Sequence, residues 1–479
     1  MSQPKRLHPV MLAGTGSDVG KSILATALCR IFRQDGYQPA PFKAQNMALN
    51  SFVTPDGLEI GRAQAVQAEA AGLPCEANMN PLLLKPQSDH SSQVVVLGRP
   101  IGNREAITYW RREGKEKFKP VVHQAYDSLA GRYNPIVMEG AGSITELNLR
   151  DTDLVNMPMA RYAHADVILV ADIDRGGIFA STYGSIMLQD EEDRRRIKGI
   201  IVNKFRGDLR LFDDGRRMLE AVCGVPVLGV VPYLEDLHID AEDSVALEHR
   251  KNSKSAPTEK TRVAVVQLPH ISNFTDFDKL ERDPRVLLFY TARPEDLAEA
   301  DIIILPGTKS TADDLYHLRR SGMAAAILQA REAGKTIMGI CGGFQMMGRS
   351  ISDPDGIEDD RLSTPGLGLL PMDTTMSPVK TTRQVKFTFQ GVACKGYEIH
   401  HGTSTLSEPV VVRDNCIGTY IHGILDNAVV IDFLLKSAPQ RKAKRLSAEE
   451  ERELAYDRLA GHVRRHLDMQ TLYNILSDD

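Results

Sequence analysis

No C-x-x-C pair occurs in the 479 residues, and the six cysteines, Cys29, Cys75, Cys223, Cys341, Cys394 and Cys416, lie scattered. That spacing argues against a zinc site and a disulfide framework, and it fits a reducing compartment. No apolar run is long enough to span a bilayer. The opening stretch "MSQPKRLHPVMLAG" has basic residues but too short an apolar segment for a signal peptide. A strong charge excess is also missing. The net charge of -5 gives no reason to expect a nucleic-acid or anionic-membrane partner. These absences predict a cytoplasmic protein with a small-molecule partner, and they leave the oligomeric state open. With 42% hydrophobic and 25% charged residues the composition is that of a soluble globular chain, and the length suggests two or three domains.

What is present is an alternation of short apolar runs with helical stretches. "HPVMLAG", "NPIVMEGAG", "ADVILVADID", "KGIIVNKF" and "PVLGVVPY" read as strands buried on both faces, the mark of a parallel sheet. Ile23, Leu24, Ala27, Leu28 and Ile31 have the spacing of a crossover helix. "HRKNSKSAPTEKT" has the composition of a linker. Strands resume with "RVAVVQLPH", "RVLLFY", "DIIILPGTKST" and "TIMGI", followed by a β-rich region containing "VKFTFQ" and "CIGTYIHGIL". The tail is charged and helical, with Leu454, Leu459, Val463 and Leu467 along one side. The expected fold class is α/β, two domains that are each a mostly parallel sheet covered by helices. The expected boundaries are 1–248, a linker over 249–261, and 262–479 including the tail.

"GTGSDVGKS" follows a strand and precedes a helix, the setting of a phosphate-binding loop. Its backbone N–H groups suit phosphate oxygens, Lys21 offers a point charge and Ser22 a Mg²⁺ ligand. Gly14, Thr15, Gly16, Asp18, Val19 and Gly20 complete the loop. The strict pattern wants glycine where Thr15 stands, and Gly14 lies one step early. Glu139 in "VMEGAGS" ends a buried strand, where a carboxylate can hold Mg²⁺ beside a nucleotide. Asp172, Asp174 and Arg175 in "VADIDRGGIF" end another. Asn203 and Lys204 in "IVNKFRGD" follow a third, and an amide there can pair with adenine's edge.

Two further segments are unusually polar for their position. "FKAQNMALNS" carries Lys43, Gln45, Asn46 and Asn50; "ELNLRDTDLVN" carries Glu146, Arg150, Asp151 and Asp153. Capping or solvent exposure accounts for many such clusters. Amides, Lys and Arg together also suit a large substrate bearing several carboxylates and carboxamides.

In "GICGGFQMMG" a strand, a small residue, Cys341, two glycines and a helix form an elbow that presents a side chain at the sheet's edge. The helix that follows favours thiolate. The N–H of Gly342, with one from "LPGTKST" at Gly307, forms an expected oxyanion hole. "YIHGIL" supplies His422 as the base.

These motifs carry a resemblance. The loop "GT…VGKS" is similar to that of dethiobiotin-synthetase-like enzymes, which phosphorylate carboxylates. The C-terminal half resembles a class I glutamine amidotransferase domain. "AQNMALNS", "MNPLLLKP", "EGAGSITELNLRDTDLVNM", "DIDRGGIFASTYG" and "VNKFRGD" extend the resemblance, to the cobyric acid synthase family, over essentially the whole chain. The resemblance implies an ATP- and Mg²⁺-dependent ligase that takes ammonia from L-glutamine. It would amidate the b, d, e and g carboxylates of the corrinoid adenosylcobyrinic a,c-diamide, with Asp153 acting at the synthetase site. Cobyrinic acid a,c-diamide synthase, a sister amidoligase, is the alternative; a ParA-like nucleotide switch and a thiol peptidase are more distant ones. The chain departs from most class I amidotransferases at Ile424, where they carry glutamate two residues after the histidine. A Cys–His dyad, or a third group from elsewhere such as Glu398, stays open.

Overall fold

The computed structural model describes residues 5–88, 91–105, 116–234, 239, 259–358, 361–436 and 446–477. Most of the expected linker, 249–258, lies outside them.

The five apolar runs of the first half form a parallel sheet with Ala40–Phe42 added at one edge. Its order is Val227–Pro232, Ile197–Phe205, Asp166–Asp172, Val10–Gly14, Ile136–Glu139, Ala40–Phe42. Val10–Gly14 and Asp166–Asp172 are buried at every position, so continuous apolarity rather than alternation is what the sheet requires. Register brings Leu12 opposite Glu139 and Asp172 opposite Asn203. The polar strand ends therefore meet along one carboxyl edge, where open α/β sheets bind ligands. Helix Lys21–Gln34 buries Leu24, Ala27, Leu28 and Ile31 against this sheet. A smaller sheet, Gln45–Met47 with Leu82–Ser88, Ser91–Val96 and Arg99–Glu105, stands beside it.

The second sheet has the order Val286–Thr291, Thr261–Val266, Ile302–Leu305, Thr336–Ile340, Cys416–Thr419, Val411–Arg413. It is parallel except for its last pair. The long hairpin Thr381–Phe389 and Val392–His400 continues to Ile421–His422. Both domains are thus the expected layered α/β units.

The tail differs from its expectation in two respects. It is two helices, Ala448–His466 and Met469–Ser477, and the first opens with a capping box between Ser447 and Glu450. Leu454 is exposed; the buried face is Ala455, Tyr456, Leu459, Ala460 and Val463. The sequence alone attaches the tail to the second domain, whereas this face packs into the first domain's core beside Leu24, Leu28 and Ile31. Arg30, in the first domain, bonds Asp457 at 2.7 Å and Glu453 at 2.9 Å, which fixes the rotation of the tail helix.

Candidate active sites

At the first sheet's edge the loop after Gly14 closes on itself. Lys21 Nζ donates to the Gly16 carbonyl at 3.0 Å and to the Gly142 carbonyl at 2.8 Å. The ammonium thus spans the loop and the glycine-rich turn after Glu139. Ser22 Oγ donates to Glu139 Oε1 at 2.8 Å. That pair of hard oxygen ligands suits a Mg²⁺ ion that shares its shell with phosphates, because Mg²⁺ needs few protein ligands. The same carboxylate accepts from Lys43 Nζ at 2.8 Å and Gln67 Nε2 at 2.7 Å, so the buried lysine balances its charge. Among the described residues no group of three His, Cys, Asp or Glu side chains could hold a metal; Mg²⁺ on one or two protein oxygens takes waters and phosphate oxygens for the rest of its shell.

Asn203 donates to the Val19 carbonyl at 2.8 Å. Gly20 has φ of 97°, and a Cβ there would strike the Asn203 amide. The asparagine expected to contact the base thus also braces the loop, through one of its amide N–H groups. Asp18 is held by Arg175 at 3.0 Å and by Lys204, which reaches Asp172 at 3.1 Å.

A cavity of about 720 Å³ joins this loop to Lys43, Gln45, Asn46, Arg150 and Asp153. Asp153 lines the cavity, and its Oδ1 is held by the N–H groups of Val155, at 2.8 Å, and Asn156, at 3.1 Å. Arg150 pairs with Asp190 and sits 3.5 Å from Asp193. Asn46 donates to Gln64 at 3.0 Å. Asn50 is not among the cavity's lining side chains. It is buried where the 50–53 segment meets the second domain, whose Asn273 accepts from the Ser51 N–H at 3.1 Å.

In the second domain Cys341 has φ 53° and ψ -112°, a conformation that costs energy for any residue with a Cβ. It is held because the Cys341 N–H bonds the Thr419 carbonyl at 2.8 Å and helix Gly342–Met346 starts at once. A Cβ at Gly343 would overlap the Leu305 carbonyl, so the turn can approach the neighbouring strand only with glycine there. Of the two glycines expected to form an oxyanion hole, Gly307 lies against His422, and Gly342 lies against Thr308 and lines the Cys341 pocket.

His422 is buried and its Nδ1 lies 2.7 Å from Asp276 Oδ2. The other Asp276 oxygen accepts from the Gly423 N–H at 2.9 Å. The ring shares a pocket with Cys341, whose Sγ lies 3.7 Å from the Ile399 carbonyl. Burial works against charge on the imidazole, but the Asp276 carboxylate and then Cys341 outweigh it, raising the pKa from 6.5 to about 10. The histidine has an orienting partner, so the dyad reading fails, and the partner is Asp276. Glu398 instead bonds Arg383 at 2.7 Å, on the same hairpin. Ile424 is fully buried and packs in the core. The sequence offered only the weak signal of acids in "SNFTDFDKL" after a strand. It offered none for Gln67, or for Glu59, Lys85, Lys309 and Lys380, which are buried around the Cys341 pocket.

Comparison with known proteins follows the same division. Residues 10–245 match the family model of the CobQ/CobB/MinD/ParA nucleotide binding domain. Residues 262–430 match that of the CobB/CobQ-like glutamine amidotransferase domain. The chain is 61% identical to a cobyric acid synthase of Phocaeicola vulgatus, covering 99% of each protein. It is 49% identical to one of Parabacteroides distasonis, over 99% of this chain and 100% of the other. With one of Salmonella agona the identity is 46% over 98% of both.

Proposed function

The chain belongs to the cobyric acid synthase family, and from that premise we propose that it makes carboxamides from the b, d, e and g carboxylates of adenosylcobyrinic a,c-diamide, using ATP and L-glutamine. The carrying observation is that one chain holds both a Cys341–His422–Asp276 line and a phosphate loop with Lys21 inside it. Neither a nucleotide switch nor a thiol peptidase needs both. The identities extend across the whole chain and do not favour the sister diamide synthase.

Residues 1–248 form the amidoligase domain in this reading, with the tail helices completing its core, and the glutaminase domain begins at 262. Gly14 to Ser22 receive the ATP phosphates. Ser22 and Glu139 would hold Mg²⁺, which would neutralise phosphate charge. Lys21 leaves its two carbonyl partners for the transferring phosphoryl group, and Lys43 is displaced from Glu139 toward the substrate's carboxylates. Asp153, held by two backbone N–H groups, assists the carboxylate being activated, and Arg150 with the amides of Gln45 and Asn46 orients the corrinoid. The activated carboxylate is an acyl phosphate, from which ammonia displaces phosphate.

Cys341 supplies the ammonia. Its thiolate attacks the side-chain amide carbon of glutamine, and the N–H groups at Gly307 and Gly342 steady the oxyanion. His422, protonated and held by Asp276, gives a proton to the leaving nitrogen. Water then cleaves the γ-glutamyl thioester and restores the thiolate. Free ammonia is mostly protonated at neutral pH, which is a physical reason to keep both reactions on one chain. The cytoplasm, where glutamine and ATP are abundant, is the proposed location. Mass spectrometry of cobyrinic a,c-diamide incubated with the protein, ATP, Mg²⁺ and glutamine tests the reading. Four successive hydroxyl-to-amino exchanges are expected, and an unaltered corrinoid mass sinks it.

A further inference from the structure

The Cys341 pocket contains more buried charge than the thiol chemistry uses. Lys85 from the first domain and Lys309 and Lys380 from the second all line it, together with Glu358. Glu59, fully buried and also from the first domain, bonds Lys85 at 2.8 Å and Lys380 at 2.5 Å, one with each carboxylate oxygen. Those two ammonium groups are therefore satisfied by one carboxylate. Glu358 accepts from the N–H of Thr311 at 2.7 Å, from that of Ala312 at 3.3 Å and from the Thr311 hydroxyl at 3.1 Å.

Lys309 is different. It is 9% exposed and lines the same pocket as Cys341, and its ammonium has no hydrogen-bond or ion-pair partner among the described residues. An ammonium desolvated without a partner is costly, so the position makes sense when an anion arrives there. Burial lowers its pKa to about 8, against the pull of Glu358, so near neutral pH it is still mostly charged. The ligand that Cys341 must attack has its reacting amide at one end and a carboxylate at the other.

We propose that Lys309 receives the α-carboxylate of glutamine, and that the first domain completes this pocket through Glu59 and Lys85. The proposal rests on the glutaminase reading above. Glu59 keeps Lys85 and Lys380 from competing for the carboxylate, which leaves Lys309 as its seat. The glutamine site is then a composite of both domains, and hydrolysis depends on their being docked.

Ammonia release by the full-length protein from L-glutamine and from its α-amide, which lacks the carboxylate, tests this. The intact protein should prefer glutamine in kcat/KM by about 10–10²-fold, the range of one charge-assisted hydrogen bond. Lys309→Met should reduce that preference to near unity, and Lys309→Arg should restore part of it. A Lys309→Met chain that keeps the original preference overturns the assignment, whatever its absolute rate. Glu59→Gln, in the first domain, should raise the KM for glutamine with ATP affinity unchanged; an unaltered glutamine KM overturns the composite site. If the intact protein releases no ammonia from glutamine, the glutaminase reading itself falls, an outcome distinct from either.

Discussion

Asp276 Oδ2 and His422 Nδ1 lie 2.7 Å apart, although 146 residues separate them in the chain. The aspartate holds the ring nitrogen that an orienting carboxylate would hold. Asp276→Asn replaces the charge with an amide that can bond either tautomer. Glutamine-dependent amidation is expected to fall about 10²–10⁴-fold, as when general acid–base help is lost. Amidation with ammonium chloride should continue, and parallel assays with the two nitrogen donors check both statements.

Cys341→Ala should remove glutamine-dependent synthesis altogether while high ammonium concentrations still support it. The phosphate loop and the thiol belong to different sheets, so deleting the sulfur leaves the carboxylate-activating side intact. Loss of both activities in folded, ATP-binding protein would contradict that division of labour.

Lys21→Ala is expected to abolish synthesis with either nitrogen source, by about 10³-fold or more, because both need the activated carboxylate. Glutamine hydrolysis measured alone should survive. Near-normal synthesis would show that the lysine merely ties Gly16 to Gly142.

The His422 pKa, raised to about 10, links stability to pH in a definite direction. The folded chain binds this proton more tightly than the unfolded one, so the contribution is complete below an ordinary histidine pKa of about 6.5 and is lost as pH rises through about 10. Tm should therefore fall more between pH 7 and pH 10 in the natural protein than in Asp276→Asn. Parallel curves for the two would count against the ion pair.

Tyr456 joins the tail to the first domain: its ring is fully buried and its hydroxyl donates to Glu69 at 2.9 Å. Tyr456→Ala should destabilise the protein by about 3–5 kcal/mol, the range for deleting a buried aromatic ring. Denaturant unfolding followed in the nucleotide-binding half measures it. A loss confined to the second domain would mean that the tail does not belong to the first domain's core.

Local pattern by itself determined the two α/β layers and the two reactive loops. Strands buried on both faces are continuously apolar, so "ADVILVADID" and "DIIILPG" declare themselves, and phosphate loops and elbows need glycines at fixed offsets. Glu139, Cys341 and His422 were legible because each sits at or just past a strand's end, and Lys21 and Ser22 because they open the helix that follows a glycine-rich loop. Only the tertiary structure decided which distant groups meet them. Asp276 lies in a turn whose local sequence serves equally well as a cap, and burial beside His422 is what makes it an orienting carboxylate. Asn203 follows a strand as a base-reading amide would, and the packing of its strand against Gly20 gives that amide a second partner, the Val19 carbonyl. The tail helix carries apolar residues on more than one side, and the partner surface selected Tyr456 and Leu459 over Leu454. Glu59, Lys85, Lys309 and Lys380 have no pattern at all, since a charged residue in sequence reads as solvent-facing until two domains close over it.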